Sequence, residues 1–184
     1  MASEVYRATY SWTDEGELRR AFALASRPTP TVVDVAAGPN AAPGTVLAQH
    51  APGGLYVPLD SEPRHLLLLR EALGERAQPV LGRGSCLPFR GASLDVVLYH
   101  HGIDDVYETE GWDGLQRSLG EAWRVLRPGG LVIASHCEFA YDPATEAVSL
   151  DDIERELVPR GGEVVLRAAG ARMDWLVVRK PILE

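Results

Sequence analysis

Two imidazoles and a run of acids stand together in YHHGIDDVYE, residues 99–108. An imidazole titrates close to neutral pH, so His100 or His101 is a candidate general base for an O or N nucleophile. His101 with Asp104 or Asp105 also has donors suited to a divalent metal, but the spacing does not impose such a site and no metal is expected. A third reading makes His100 a simple ligand contact and the acids caps for the segment that follows. His136, after the apolar run LVIAS, is one more imidazole for the same work.

A second group of candidate residues lies upstream, in TVVDVAAGPN and LYVPLD. Small residues after an apolar strand let backbone N–H groups approach a ligand, and an acid at the tip of the next strand has two oxygens for two vicinal hydroxyls. The turn offers Ala36, Ala37, Gly38, Pro39 and Asn40 where a dinucleotide site wants G-x-G-x-x-G, so it lacks the first and third glycines of that fingerprint. A ligand without a pyrophosphate is expected. Ala and Asn are the mildest departures from glycine here, because Ala is the smallest step up and Asn tolerates left-handed backbone. Asp60 has a second reading as a helix N-cap, and the turn as a tight strand-to-helix connection.

These residues need a frame. VVDVA, LYVPL, PVL, DVVLY and LVIAS read as strands, the continuous apolar runs of a sheet buried on both faces. Helices are expected from Thr13 through TDEGELRRAFALASR, at TVLAQH, from Glu62 to Glu75, from Trp112 to Leu126 and from Leu150 to Leu157. Pro58 lies inside the second strand, which must be short, bulged, or without a neighbour on that side. The tail EVVLRAAGARMDWLVVRK reads as two strands joined through Gly170. The order predicts an α/β fold, a doubly wound, mostly parallel Rossmann-like sheet with a C-terminal antiparallel hairpin strand. One domain over 1–184 is expected, with 1–28 as a cap segment and 29–184 as the core.

With a net charge of −8 and scattered arginines, the chain lacks the basic stripe that phosphate contacts require, so no nucleic-acid partner is expected. No apolar run is long enough to cross a membrane, and the first residues lack a basic and apolar leader, so the cytoplasm is the expected location. Cys86 and Cys137 lie far apart and read as buried small hydrophobes rather than as a disulfide or zinc site. Oligomeric state is not legible.

The ordered set VVDVAAGPN, the strand-tip Asp60, LGRGSCLPFRGASLDVVLYHHGIDDV and LGEAWRVLRPGGLVIAS resembles the class I S-adenosylmethionine-dependent methyltransferases, in particular small-molecule, quinone-biosynthesis-like members. L-R-P-G-G-x-L leads into that family's fifth strand. The resemblance implies methyl transfer from S-adenosylmethionine to an O, N or C nucleophile of a small molecule. It implies that residues 36 to 40, with Ala36, Gly38 and Asn40, hold the methionine moiety and that Asp34 orients this loop or meets the ammonium. Asp60 and Ser61 would then meet the ribose, and Ser85, Cys86 and Tyr99 would complete the cofactor site. The family often has an acid where this chain has Arg83, which donates only. Ser85 or a backbone carbonyl then takes the adenine amine, with Arg83 stacked on the base or in solvent, or the adenine pocket is lost. The alternative function is a catalytically inactive, methyltransferase-like binding or partner protein. No [DNS]-P-P-[YFW] follows the fourth strand, which disfavours DNA base methylation. A lid is sought in residues 1 to 12, with Tyr6, Tyr10 and Trp12, and in Cys137 to Ser149, with Phe139 and Tyr141.

Overall fold

A computed structural model describes residues 14–136, 148–169 and 173–182. Tyr6, Tyr10, Trp12, Phe139, Tyr141, Cys137 and the Gly170 junction, named above, lie outside these residues. The elements run α1 (Glu15–Phe22), β1 (Thr31–Val35), α2 (Ala42–His50), β2 (Leu55–Asp60), α3 (Pro63–Leu73) and β3 (Val80–Leu81). Then follow β4 (Leu94–His100), α4 (Gly102–Val125), β5 (Leu126–His136), α5 (Leu150–Leu157), β6 (Glu163–Ala169) and β7 (Asp174–Arg179).

The seven strands form one sheet in the order β3-β2-β1-β4-β5-β7-β6. Strands β1 to β5 are parallel, and β7 runs antiparallel to both β5 and β6. This is the doubly wound, mostly parallel fold with an antiparallel C-terminal hairpin. The chain winds outward from β1 towards β3, then returns to β4 on the other side of β1. That reversal opens a crevice at the carboxyl ends of β1 and β4, where open α/β sheets take their ligands.

Alternation along each strand divides the core. Val32, Val96, Leu98, Ile133, Trp175 and Val177 face α1, α2 and α3 through Leu18, Phe22, Val46, Leu47 and Leu69. Val33, Val35, Val97, Tyr99, Val132, Ala134 and Leu176 face α4 and α5 through Ile103, Leu115, Leu119, Ile153 and Leu157. Burial of each such Leu, Ile or Val contributes about 1.5–3 kcal/mol, so both faces anchor the strand tips firmly.

Three sequence expectations change. The first helix is capped by Asp14, whose carboxylate accepts from the Glu17 N–H at 3.1 Å, and it stops at Phe22 rather than continuing through ALASR. The helix expected from Trp112 is present, but a further helical arm from Gly102 precedes it, and the two meet at a kink at Gly111, where φ is 67°. Its acid-rich first arm buries only Gly102, Ile103, Asp104 and Val106, too few apolar residues for the sequence pattern to declare it. Strand β5 starts at Leu126, and β5 advances five residues while β4 advances two, because Pro128, Gly129 and Gly130 bulge out of the ladder.

Pro58 is accommodated without loss. The Tyr56 and Asp60 carbonyls accept from Gln78 and Gly82 N–H groups on the β3 side, so Pro58 between them faces that side too. The β2–β3 ladder starts only at Leu59, past the missing donor.

Candidate functional site

The turn after β1 is left-handed at Ala36 (φ 53°) and Gly38 (φ 55°). An alanine methyl fits a conformation that larger side chains resist, but it still costs about 1 kcal/mol. The turn is tied down on three sides. The Ala37 N–H donates to the Leu59 carbonyl at 3.1 Å, the Gly38 N–H to Asp60 Oδ2 at 2.8 Å, and Asn40 Oδ1 accepts from the Ala42 N–H at 2.9 Å, holding the start of α2. A Cβ placed on Gly38 would meet nothing within 4 Å, so this side of the turn is open. Behind it, a Cβ on Gly102 would sit 2.1 Å from the Val35 carbonyl oxygen, which fixes glycine where α4 passes the end of β1. Ala36→Gly is expected to leave the thermal midpoint unchanged or raise it. The usual loss of about 0.5–1 kcal/mol for Ala to Gly is offset by relief of the left-handed strain. A fall of several degrees in a melting scan would contradict the strain.

Asp60 clamps this turn from the tip of β2. Its other oxygen, Oδ1, accepts from the Glu62 N–H at 2.8 Å and lies 3.4 Å from His65 Nδ1. The cap of α3 is Glu62 itself, accepting from the Arg64 N–H, so Asp60 shapes the approach to that helix without being its cap. Each carboxylate oxygen has a second lone pair, and the pair together can accept from a vicinal diol. Ser61 beside it is exposed.

Asp34 lies elsewhere. Alternation turns it to the face of Val32, where it is 1% exposed and accepts from the Tyr56 hydroxyl at 2.7 Å. Loss of water raises its pKa to about 7, against the lowering effect of the Tyr56 hydroxyl. Its carboxyl is therefore buried in the sheet rather than open to a ligand ammonium.

The two histidines of the sequence motif also separate. His100 is 6% exposed, and burial, then the neighbouring His101, lowers its pKa to about 3. A neutral imidazole that resists protonation so strongly is a poor proton acceptor, which counts against His100 as the general base. His101 is half-buried in left-handed backbone just before α4. Burial lowers its pKa, Asp104 opposes that, and His136 adds to it. The two rings meet edge-on at 4.8 Å. Asp104 bonds instead to the sequence's third candidate, with its Oδ2 3.1 Å from His136 Nδ1. Among the described residues, no three His, Cys, Asp or Glu are grouped as metal donors.

The 83–86 segment closes the other side. Arg83 is exposed, and the Cys86 N–H donates to its carbonyl in a tight turn. Cys86 is an exposed free thiol, a correction to its expected burial, because this turn lies outside any strand. Ser85 donates its hydroxyl to Glu110, an acceptor that sequence reading missed because the first arm of α4 was not recognised. Tyr99 faces α4, its hydroxyl bonded to Ser118 Oγ at 2.8 Å and to the Ser118 carbonyl, and its pKa is raised by burial. Its side chain belongs to the core and not to the crevice.

One further alignment was invisible in sequence. His100, Ser135 and Trp175 are register neighbours on β4, β5 and β7, and the His100 and Trp175 rings lie 6.0 Å apart. Among the described residues, His100 Nε2, Ser135 Oγ and Trp175 Nε1 are buried without a hydrogen-bond partner. Leaving a buried polar group unpaired costs about 1–3 kcal/mol, so this edge of the sheet offers donors and acceptors to a water or a ligand.

Comparison with known proteins agrees with this architecture. No curated protein matches the chain. Among solved structures, a S-adenosylmethionine-dependent methyltransferase from Aquifex aeolicus is similar, with 15% identity, a TM-score of 0.72, and coverage of 94% of this chain and 91% of that one. The complex of the Haloferax volcanii Trm112 methyltransferase activator with a methyltransferase aligns at 18% identity and TM-score 0.72, covering 90% and 89%. The [4+2]-cyclase SpnF aligns at 12% identity and TM-score 0.72, covering 91% and 82%. The methyltransferase domain family matches residues 33–134, more than half of the chain, which therefore belongs to the class I S-adenosylmethionine-dependent methyltransferases.

Proposed function

We propose that the chain, a single methyltransferase-like domain, moves a methyl group from S-adenosylmethionine to an O, N or C nucleophile of a small molecule. The observation that carries this reading is the clamp between Asp60 and the Gly38 N–H, which sets a diol acceptor beside an open backbone turn. The residues fit the cofactor. The backbone of Ala36 to Asn40 would meet the methionine portion, Asp60 the ribose, and the Ser85–Glu110 pair would supply the acceptor that Arg83 cannot. When bound, the cofactor supplies a sulfonium-activated methyl group. The chain's contribution is to bind, orient and exclude water around the two reactants.

Two departures from the family pattern are compatible with this reading. Ala36 adopts the left-handed backbone that a glycine would take, and Arg83 is at an exposed position. Both count against the alternative of an inactive binding protein. The exposed free thiol of Cys86 suits a reducing compartment, which supports the cytoplasm. No described helix is long and apolar enough to cross a membrane, and the net charge of −8 favours a small molecule over nucleic acid. Calorimetric titration with S-adenosylmethionine and S-adenosylhomocysteine should give saturable binding for both; absence of heat for either at millimolar ligand would reject the proposal.

A further inference from the structure

We infer that the row formed by His100, Ser135 and Trp175 holds the methyl acceptor, and that it selects a molecule bearing an uncharged carbonyl oxygen. This inference rests on the methyltransferase reading above and names the substrate class for the same site. The three strands β4, β5 and β7 are consecutive in the sheet, and the three residues are register neighbours across them. All lie at the carboxyl edge: His100 ends β4, Ser135 is next to the end of β5, and Trp175 is the second residue of the antiparallel β7. The row starts beside the cofactor turn, where Asn40 Nδ2 lies 3.5 Å from His100 Nδ1, and runs from there away from β1.

Ser135 and Trp175 are fully buried, and His100 is nearly so. A protein interior pairs its polar groups, so Nε2, Oγ and Nε1 left without partners in one row, at a ligand-binding edge, mark a place where a ligand supplies the partner. The protons decide what kind of partner that is. The indole Nε1–H donates only. Asn40 Oδ1 is held by the Ala42 N–H, so the amide nitrogen faces His100 Nδ1 and donates to its lone pair. The neutral ring then carries its proton on Nε2. The ring centroids of His100 and Trp175 are 6.0 Å apart. Two N–H groups sharing one oxygen, each about 2.9 Å from it, stand up to about 5.8 Å apart, so a single oxygen with two lone pairs can take both. The Ser135 hydroxyl turns to suit. None of the three groups is charged, since burial keeps His100 neutral down to about pH 3. A carboxylate set against them would be buried with its charge unbalanced, and an ammonium would set donor against donor. A carbonyl oxygen meets both requirements.

Trp175 also forms part of the wall of a cavity of about 200 Å³ at the tips of β5, β6 and β7. Water occupies about 30 Å³ per molecule, so this space takes one small ring. An acceptor entering there brings its carbonyl to the row and extends along it towards β4 and the cofactor turn.

Binding to protein loaded with S-adenosylhomocysteine tests the inference. The probes are 4-hydroxyacetophenone, 4-ethylphenol and 4-hydroxybenzoate, similar in size but differing in a ketone, an alkyl group and a carboxylate. Calorimetry should show the ketone bound at least about tenfold more tightly than the other two. Trp175→Phe keeps a ring but loses the N–H, and should bring the ketone within about threefold of 4-ethylphenol without changing S-adenosylhomocysteine affinity. Ser135→Ala removes an unpaired hydroxyl, so it should leave the thermal midpoint unchanged or raise it, and should shrink the ketone's advantage by at least about threefold. It serves as the test even where Trp175→Phe fails to fold. In ¹⁵N-labelled protein the Trp175 indole N–H should shift with the ketone and not with 4-ethylphenol, and ligand-free His100 should be the Nε2–H tautomer. A ketone preference that survives both variants would mark the row as a seat for structural water and overturn the inference. Tightest binding of 4-hydroxybenzoate, equal binding of all three probes, binding of none, or an Nδ1–H tautomer overturns it too; in each case bound S-adenosylhomocysteine leaves the cofactor reading standing. Protein that binds neither S-adenosylhomocysteine nor S-adenosylmethionine overturns both.

Discussion

Asp60→Asn is expected to weaken S-adenosylmethionine binding by about 100-fold, a loss of about 3 kcal/mol. In the folded chain each oxygen of Asp60 accepts one backbone N–H, from Gly38 and from Glu62. An amide offers one oxygen and one NH₂, so whichever way it is turned, a donor faces a donor. Hydrogen bonds to a charged group contribute about 1.5–3 kcal/mol each, and the amide also loses one of the two acceptors that a ribose diol would use. The turn at Ala36 to Asn40 then relaxes and no longer presents its backbone in one geometry. Calorimetry on the wild type and Asp60→Asn, at a temperature where both are folded, measures the effect. An affinity unchanged within threefold would make Asp60 a clamp for the turn and nothing more. Asp60→Glu, which keeps the charge but reaches further, should fall between the two.

Much of the frame was legible because fully buried parallel strands leave an unmistakable trace. TVVDV and LDVVLYH are almost continuously apolar, and nothing else in a chain of this size gives such runs between turn residues. The helix at Leu150–Leu157 was legible to the residue, since Ser149 and Asp152 form a reciprocal capping box ahead of apolar residues at helical spacing. The site was legible only in part, because residue type does not reveal direction. Asp34 has the right chemistry for a ligand contact, but alternation along β1 turns it towards Val32's face and Tyr56. His100 and His101 are adjacent in sequence, yet one closes a strand and the other starts a left-handed turn, so their surroundings differ. The alignment of His100 with Ser135 and Trp175 depends on β7 inserting between β5 and β6, a long-range choice for which no local pattern speaks. Glu110 escaped notice for a simpler reason: it lies in the helical arm before the Gly111 kink, which buries too few apolar residues to show a helical pattern.

Replacement of Asp34 or His100 should expose two opposing pH dependences that cancel in the wild type. Asp34 titrates at 3.8 when free and at about 7 in the fold, because burial penalises its charge. Between those values the native chain holds a proton that the unfolded chain has lost, so stability falls as pH rises, by about 4 kcal/mol in all. His100 goes the other way, from 6.5 when free to about 3 in the fold. There the unfolded chain holds the extra proton, and stability rises with pH by about 5 kcal/mol from pH 3 to 6.5. From about pH 4 to 6.5 the two slopes oppose each other, each approaching 1.4 kcal/mol per pH unit. Asp34→Asn keeps an acceptor for the Tyr56 hydroxyl and removes the charge. It should match the wild type near pH 4 and exceed it by about 4 kcal/mol at pH 8, leaving a curve that climbs with pH. His100→Asn should do the reverse, with its gain at acid pH and a curve that descends towards pH 7. Urea denaturation at intervals between pH 4 and 8 measures these slopes directly. Curves for Asp34→Asn that stay parallel to the wild type would show that Asp34 is ionised in the fold. The double variant separates independent burial from a coupled pair. If each group is penalised by burial alone, its curve over pH 4 to 6.5 should be as flat as the wild type, because both slopes are removed together.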